Sequence, residues 1–132
     1  MKKLLLLLMV VPMFGLAQSI ENTTLAGVCR QHLELEYPMD IIVNKLELDN
    51  PSAIANYNSL GCSSDLIFLG LTKDNRYVFL EKITKGHEFC IDAGTIVLEV
   101  INENQVIYYW YEKETGNLGS SAILDMYKNI NE

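Results

Sequence analysis

His87, Glu88, Cys90 and Asp92 fall within one short stretch, and all four are residue types that bind metals. The chemistry would be ligation of zinc or a similar ion, yet the run H-E-x-C-x-D matches neither a helical nor a zinc-ribbon spacing. Cys90 also has a competing use in a disulfide. No metal site and no cofactor are expected. Gly119-Ser120-Ser121 lacks the glycine-flanked serine of a hydrolase elbow. His32 and His87 are the only histidines, and neither adjoins a nucleophile pattern. The chain reads as a non-enzyme with no catalytic residues.

Glu81 is the charge that stands out. It alternates with Tyr77, Phe79 and Ile83, so it shares the face that those residues bury. A buried carboxylate requires a partner. One reading makes Glu81 a ligand-contacting or proton-accepting group in a barrel mouth. The other, which we expect, makes it a structural ion pair or tyrosine hydrogen bond near a disulfide-linked loop. In the run Tyr108-Tyr109-Trp110-Tyr111, Tyr108 and Trp110 join Val106 on one face, while Tyr109 and Tyr111 join Ile107 on the other. Cross-strand packing is the expected role of these rings, ahead of stacking on a sugar or partner.

The elements that position these residues read as short strands separated by turn chemistry. Leu25 to Glu36 alternates as one strand, with Cys29, Gln31, Leu33 and Leu35 on one face, and Tyr37-Pro38-Met39-Asp40 is expected to turn the chain. A second strand follows over Ile41 to Leu48, with Ile42, Leu46 and Leu48 sharing a face, and then a turn at Asp49-Asn50-Pro51-Ser52. Ala53 to Leu60 reads as a strand, with a short helix as the alternative. Further strands are expected over Asp65 to Leu71, Arg76 to Thr84, Thr95 to Ile101, Val106 to Lys113 and Ser120 to Lys128. The longest irregular link, Lys85 to Gly94, carries the metal-like residues. The fold class is all-β: an antiparallel up-and-down meander of about eight strands, closed or nearly closed into a small barrel. At eight strands the interior is about filled by side chains, with space for one small ligand at most.

Residues 1–17 have the form of a signal peptide: Lys2 and Lys3, an apolar run from Leu4 to Phe14, then Gly15-Leu16-Ala17. The run is shorter than the roughly 20 residues of a membrane span. Residues 18–132 then form a single domain, exported to a periplasmic or extracellular location with no stable membrane anchor after cleavage. The formal charge of −7 becomes more negative once Lys2 and Lys3 leave, a balance that argues against nucleic acid as a partner. Cys29, Cys62 and Cys90 allow three pairings in an oxidising compartment. Cys62 with Cys90 is favoured, because both stand at strand ends beside turn residues, and Cys29 becomes a buried unpaired thiol.

With Tyr57-Asn-Ser-Leu-Gly-Cys62, Phe79-Leu-Glu-Lys-Ile-Thr-Lys-Gly86, Cys90-Ile-Asp-Ala-Gly94 and Val106-Ile-Tyr-Tyr-Trp110 in place, the chain resembles a small extracytoplasmic module of bacterial proteins. That module occurs in external regions of some bacterial serine/threonine protein kinases and in stand-alone secreted proteins. Its pattern runs Tyr-Pro-Ser-Leu-x-Cys, Glu-x-Ile-x-x-Gly, Cys-x-x-Gly-Gly and Leu-x-Tyr-x-Trp. The likeness covers about the last 70 residues and departs from the pattern at Asn58, Ser64 and Ala93. It implies location and architecture, and no activity.

If Leu66, Phe68, Ile96, Leu98, Val100, Tyr108 and Trp110 fill the interior, then Ile67, Leu69, Leu71, Val78, Leu80 and Tyr109 point outward, with Val97 and Ile107. So large an apolar face marks either a partial exchange of inside and outside or a surface that something covers. The expected function is a non-catalytic binding or interaction module that uses this face for a protein partner or for self-association. The alternatives are a lipocalin-like carrier of a small ligand, or an inhibitor of a foreign hydrolase.

Overall fold

In the computed structural model the described residues are 19–31 and 35–129. Residues 1–17, read above as a signal peptide, lie outside them, as do His32 and Leu33. Eight strands run in chain order: β1 Thr23–Gln31, β2 Leu35–Val43, β3 Pro51–Tyr57, β4 Cys62–Leu71, β5 Arg76–Lys85, β6 Thr95–Asn102, β7 Gln105–Tyr111 and β8 Leu118–Lys128. Each pairs antiparallel with its neighbour, and β8 pairs back onto β1, so the sheet closes as a meander barrel with no free edge.

The two-residue period decides what fills it. Leu25 and Cys29 of β1, Ile41 and Val43 of β2, Ala53 and Ala55 of β3, Leu66 and Phe68 of β4, and Phe79 of β5 point inward and are buried. Ile96, Leu98, Val106, Tyr108, Leu124 and Met126 complete the core from the other strands, and Val100 and Trp110 pack against it. Facing out at mid-strand are Asp40, Asp65, Lys82, Glu99 and Asp125. An apolar interior with charges outside is the reverse of the arrangement of outer-membrane barrels. No helix among the described residues is long and apolar enough to cross a membrane.

The two ends of the barrel differ. At one, Ile20 is wholly buried, Thr23 Oγ1 donates to its carbonyl at 2.6 Å, and the backbone N–H of Leu46 donates to Glu21 at 2.8 Å. The other end carries the disulfide Cys62–Cys90, which ties the start of β4 to the loop between β5 and β6. Disulfides of this kind form in oxidising, extracytoplasmic surroundings. Gly86 begins that loop at φ +87°, and a Cβ there would stand 2.8 Å from the sulfur of Cys62. Only glycine fits that position.

The N-terminal third departs from expectation. What read as one strand from Leu25 to Glu36 is two, because Gln31 pairs with Leu35 and the chain reverses between them. Alternation persists through this hairpin without glycine or proline to mark it. Gln31 keeps the face of Cys29, pairing with Ser120 and lining the cavity at the barrel mouth, and both it and Leu35 are exposed at the strand ends. Tyr37-Pro38-Met39-Asp40 is not a turn but the middle of β2, with Tyr37 and Met39 inside. β3 pairs only with Asp40 to Val43, so one side of β2 has no ladder partner at Pro38, an edge setting that proline tolerates. The second strand ends at Val43 and not at Leu48, and its phase is opposite: Ile41 and Val43 point in, while Ile42 is 37 % exposed. Residues 53–60 are strand up to Tyr57, followed by a single 3-10 turn over Asn58–Leu60.

Candidate functional site

Four strands deliver polar side chains to the disulfide end of the barrel interior. β5 alternates Tyr77, Phe79, Glu81 and Ile83 inward, which places the Glu81 carboxylate among buried rings at 2 % exposure. β3 ends on Tyr57, β4 brings Ser64 near its start, and β7 brings Tyr108 and Trp110. One carboxylate oxygen, Oε2, accepts from the Tyr57 hydroxyl at 2.7 Å and from the Ser64 hydroxyl at 2.7 Å. The other, Oε1, accepts from the Trp110 indole N–H at 2.9 Å. Tyr57 and Tyr108 share a further hydroxyl–hydroxyl contact of 3.0 Å. With Tyr57 donating to Glu81, the proton of that contact comes from Tyr108.

Glu81 therefore takes its hydrogen bonds from tyrosine, serine and tryptophan, and forms no ion pair among the described residues. Burial pushes its pKa up, against the downward pull of the Ser64, Tyr57 and Trp110 donors. Burial likewise holds the Tyr57 and Tyr108 phenols well above their usual range, so both stay protonated. The backbone of Glu81 is fixed as well: its N–H donates to the Gly94 carbonyl at 2.8 Å, and its carbonyl accepts from Ala93 N–H at 3.1 Å.

Trp110 is held by what its neighbours lack. A Cβ on Gly94 would stand 2.3 Å from the indole nitrogen, and one on Gly119 would stand 2.6 Å from the six-membered ring. Neither glycine has a positive φ, so both are required for space. Tyr37 packs edge-on to Tyr57 with ring centroids 6.1 Å apart. The free thiol of Cys29 is buried beside Tyr37 and Ser120, and burial raises its pKa.

These side chains surround a cavity of about 110 Å³ that opens at the disulfide end, lined by Tyr37, Tyr57, Glu81, Tyr108 and Trp110 within and by Phe89 and Ile91 toward solvent. Phe89 is 77 % exposed and Ile91 59 % exposed, although both are large and apolar. The loop that carries them is fixed by the disulfide and by Asp92, whose carboxylate accepts from the N–H groups of Ile83 at 2.8 Å and Ala93 at 2.9 Å. Those backbone donors hold the Asp92 pKa below its ordinary value.

The metal-like run is thus divided among other roles. Cys90 is in the disulfide, Asp92 braces the loop, His87 and Glu88 are exposed, and no cluster of three potential ligands exists among the described residues. Of the residues expected on the outer face, Ile67, Leu69, Val78, Leu80 and Tyr109 point outward, whereas Leu71 lies past a bulge in β4 and pairs with the inward Tyr77 at the strand end. Ile67 pairs with Leu80, Val78 with Val97 and Val97 with Tyr109, giving an apolar stripe across four strands. Most of it is half-buried by its own neighbours, while Leu69 and Leu71 are exposed. No element among the described residues packs over it.

Glu81 and the strand that presents it were legible from alternation. The convergence of Tyr37, Ser64 and Ser120 on the same end was not, although polar residues at inward positions close to strand ends were an available signal. No family model, characterised protein or solved structure matches the chain.

Proposed function

We propose that the protein is an exported, non-catalytic binding module whose recognition site is the open, disulfide-braced end of the barrel. One observation carries this reading: a preformed cavity containing a buried carboxylate opens between two exposed apolar side chains, Phe89 and Ile91, on a loop held in place covalently. At about 110 Å³ the cavity is too small to enclose a carrier's whole ligand, for which pockets of roughly 300 Å³ and more are usual. It suits the compact end group of a larger molecule, with the remainder lying across Phe89 and Ile91. Preorganisation supports the same reading, since the rings and the carboxylate are already fixed by one another and lose little freedom when a ligand enters.

The non-catalytic assignment rests on chemistry. No histidine lines the cavity with Glu81, Ser64 beside it spends its proton on the carboxylate, and the tyrosines around it are held protonated by burial. The outer apolar stripe supports a second reading, self-association through β4 to β7. One experiment separates the two. Small neutral, cationic and anionic molecules are titrated into labelled protein, and amide shifts are mapped by NMR. Shifts clustered on Tyr37, Tyr57, Phe89, Ile91 and Trp110 are expected. Shifts or concentration-dependent broadening confined to Leu69, Val78 and Tyr109 would instead place recognition on the outer face.

A further inference from the structure

The hydrogen-bonding needs of Glu81 are met, but its charge is not. The ion pairs found among the described residues, Arg30–Glu36, Arg76–Asp74 and Arg76–Glu99, lie at the surface and none includes Glu81. No lysine, arginine or histidine lines the cavity. Neutral donors stabilise a carboxylate locally but leave its net charge in a low-dielectric site. Once Glu81 is ionised, whatever enters the cavity meets an uncompensated negative charge beside aromatic rings.

That arrangement discriminates among cations. A carboxylate offers about four lone-pair sites, and three are already taken by Tyr57, Ser64 and Trp110. A primary ammonium brings three N–H donors and a guanidinium five, and beyond the one free Glu81 site they would have only the Gln31, Ser120 and tyrosine oxygens of the wall to replace water. A fully N-methylated ammonium has no donors to satisfy. It needs only a nearby negative charge and aromatic surface, which attract it through cation–π interaction. Size sets a limit: at about 110 Å³, and open to solvent, the cavity takes a small head group and not a whole ligand.

We propose that the cavity at the disulfide end binds a quaternary ammonium head group, with Tyr37, Tyr57, Tyr108 and Trp110 as its walls and Glu81 as its countercharge. This rests on the reading of that end as the recognition site and adds the class of group it receives. The acidic balance of the chain favours the approach of such a ligand.

Trp110 is the only tryptophan, so its fluorescence reports directly on the site. Tetramethylammonium chloride is titrated into the full domain at constant ionic strength, with sodium chloride, methylammonium chloride and tert-butanol as controls. The expected result is a saturable change with a dissociation constant on the order of millimolar for tetramethylammonium, and at least about tenfold weaker binding of methylammonium and tert-butanol. Glu81→Gln should weaken binding by about tenfold. To keep the test independent of that variant's folding, the wild-type affinity is also followed as the pH is lowered. Tyr57 and Tyr108 stay protonated throughout, as do Tyr37 and Cys29, whose pKa values burial also raises, while Asp92 stays ionised until below its ordinary range. Affinity should therefore fall as Glu81 takes up its proton. No saturable response to tetramethylammonium, or tert-butanol binding as tightly, would overturn the proposal. If NMR mapping then shows neutral or anionic molecules at the mouth, the recognition site stands and only the charge class is wrong; if nothing binds there, both fail.

Discussion

Glu81 is a carboxylate whose surroundings pull in two directions. Desolvation raises its pKa, and three donors lower it, with burial the larger influence. The folded chain consequently holds this proton more tightly than the unfolded chain does. The stability that results is fully present below the unfolded value of about 4.3 and is lost as the pH rises through the higher folded value. Wild type should accordingly lose stability relative to Glu81→Gln as the pH rises from the unfolded value of about 4.3 through the raised folded value, in urea unfolding. A difference that instead grows with pH would show that the donors outweigh burial. At this scale alternation reveals that Glu81 points inward, because one residue and its strand suffice. It does not reveal Tyr57, Ser64 and Trp110 as the partners, because those lie on three other strands and meet Glu81 only when the sheet closes.

The element on which the site depends is the loop between β5 and β6. It has no ladder of its own, and its position comes from Cys62–Cys90, the Asp92 side chain and the fixed backbone of Glu81. Closing a loop of 28 residues stabilises a fold by about 3–4 kcal/mol on the chain-entropy model. The double variant Cys62→Ala, Cys90→Ala should lose about that much in urea unfolding while keeping the far-ultraviolet spectrum of a β protein. A loss under about 1 kcal/mol would mean that the remaining contacts hold the loop unaided. The strands from β4 to β8 were readable from turn chemistry: Lys73-Asp74-Asn75, Glu103-Asn104 and Thr115 to Gly119 each interrupt an apolar run. β1 and β2 were not, because their hairpin contains no breaker while Pro38, a breaker elsewhere, sits harmlessly within β2.

As a whole molecule the barrel is polarised. Ile20 and the segment around Leu46 close one end, and the other presents a cavity, a buried carboxylate and two exposed apolar side chains. Neighbouring strands follow one another in sequence all the way round, so closure could be anticipated from the number of strands and the short connections. Which end stays open could not, since it depends on Ile20 folding into the core and on the disulfide holding Phe89 and Ile91 outward. The central claim is that a compact cationic group enters that open end. The most direct measurement is a set of intermolecular nuclear Overhauser effects between the methyl protons of bound tetramethylammonium and the protein. Contacts to the ring protons of Tyr37, Tyr57, Tyr108 and Trp110 are predicted; contacts only to Leu69, Val78 and Tyr109 on the outer face, or none at all, would contradict it.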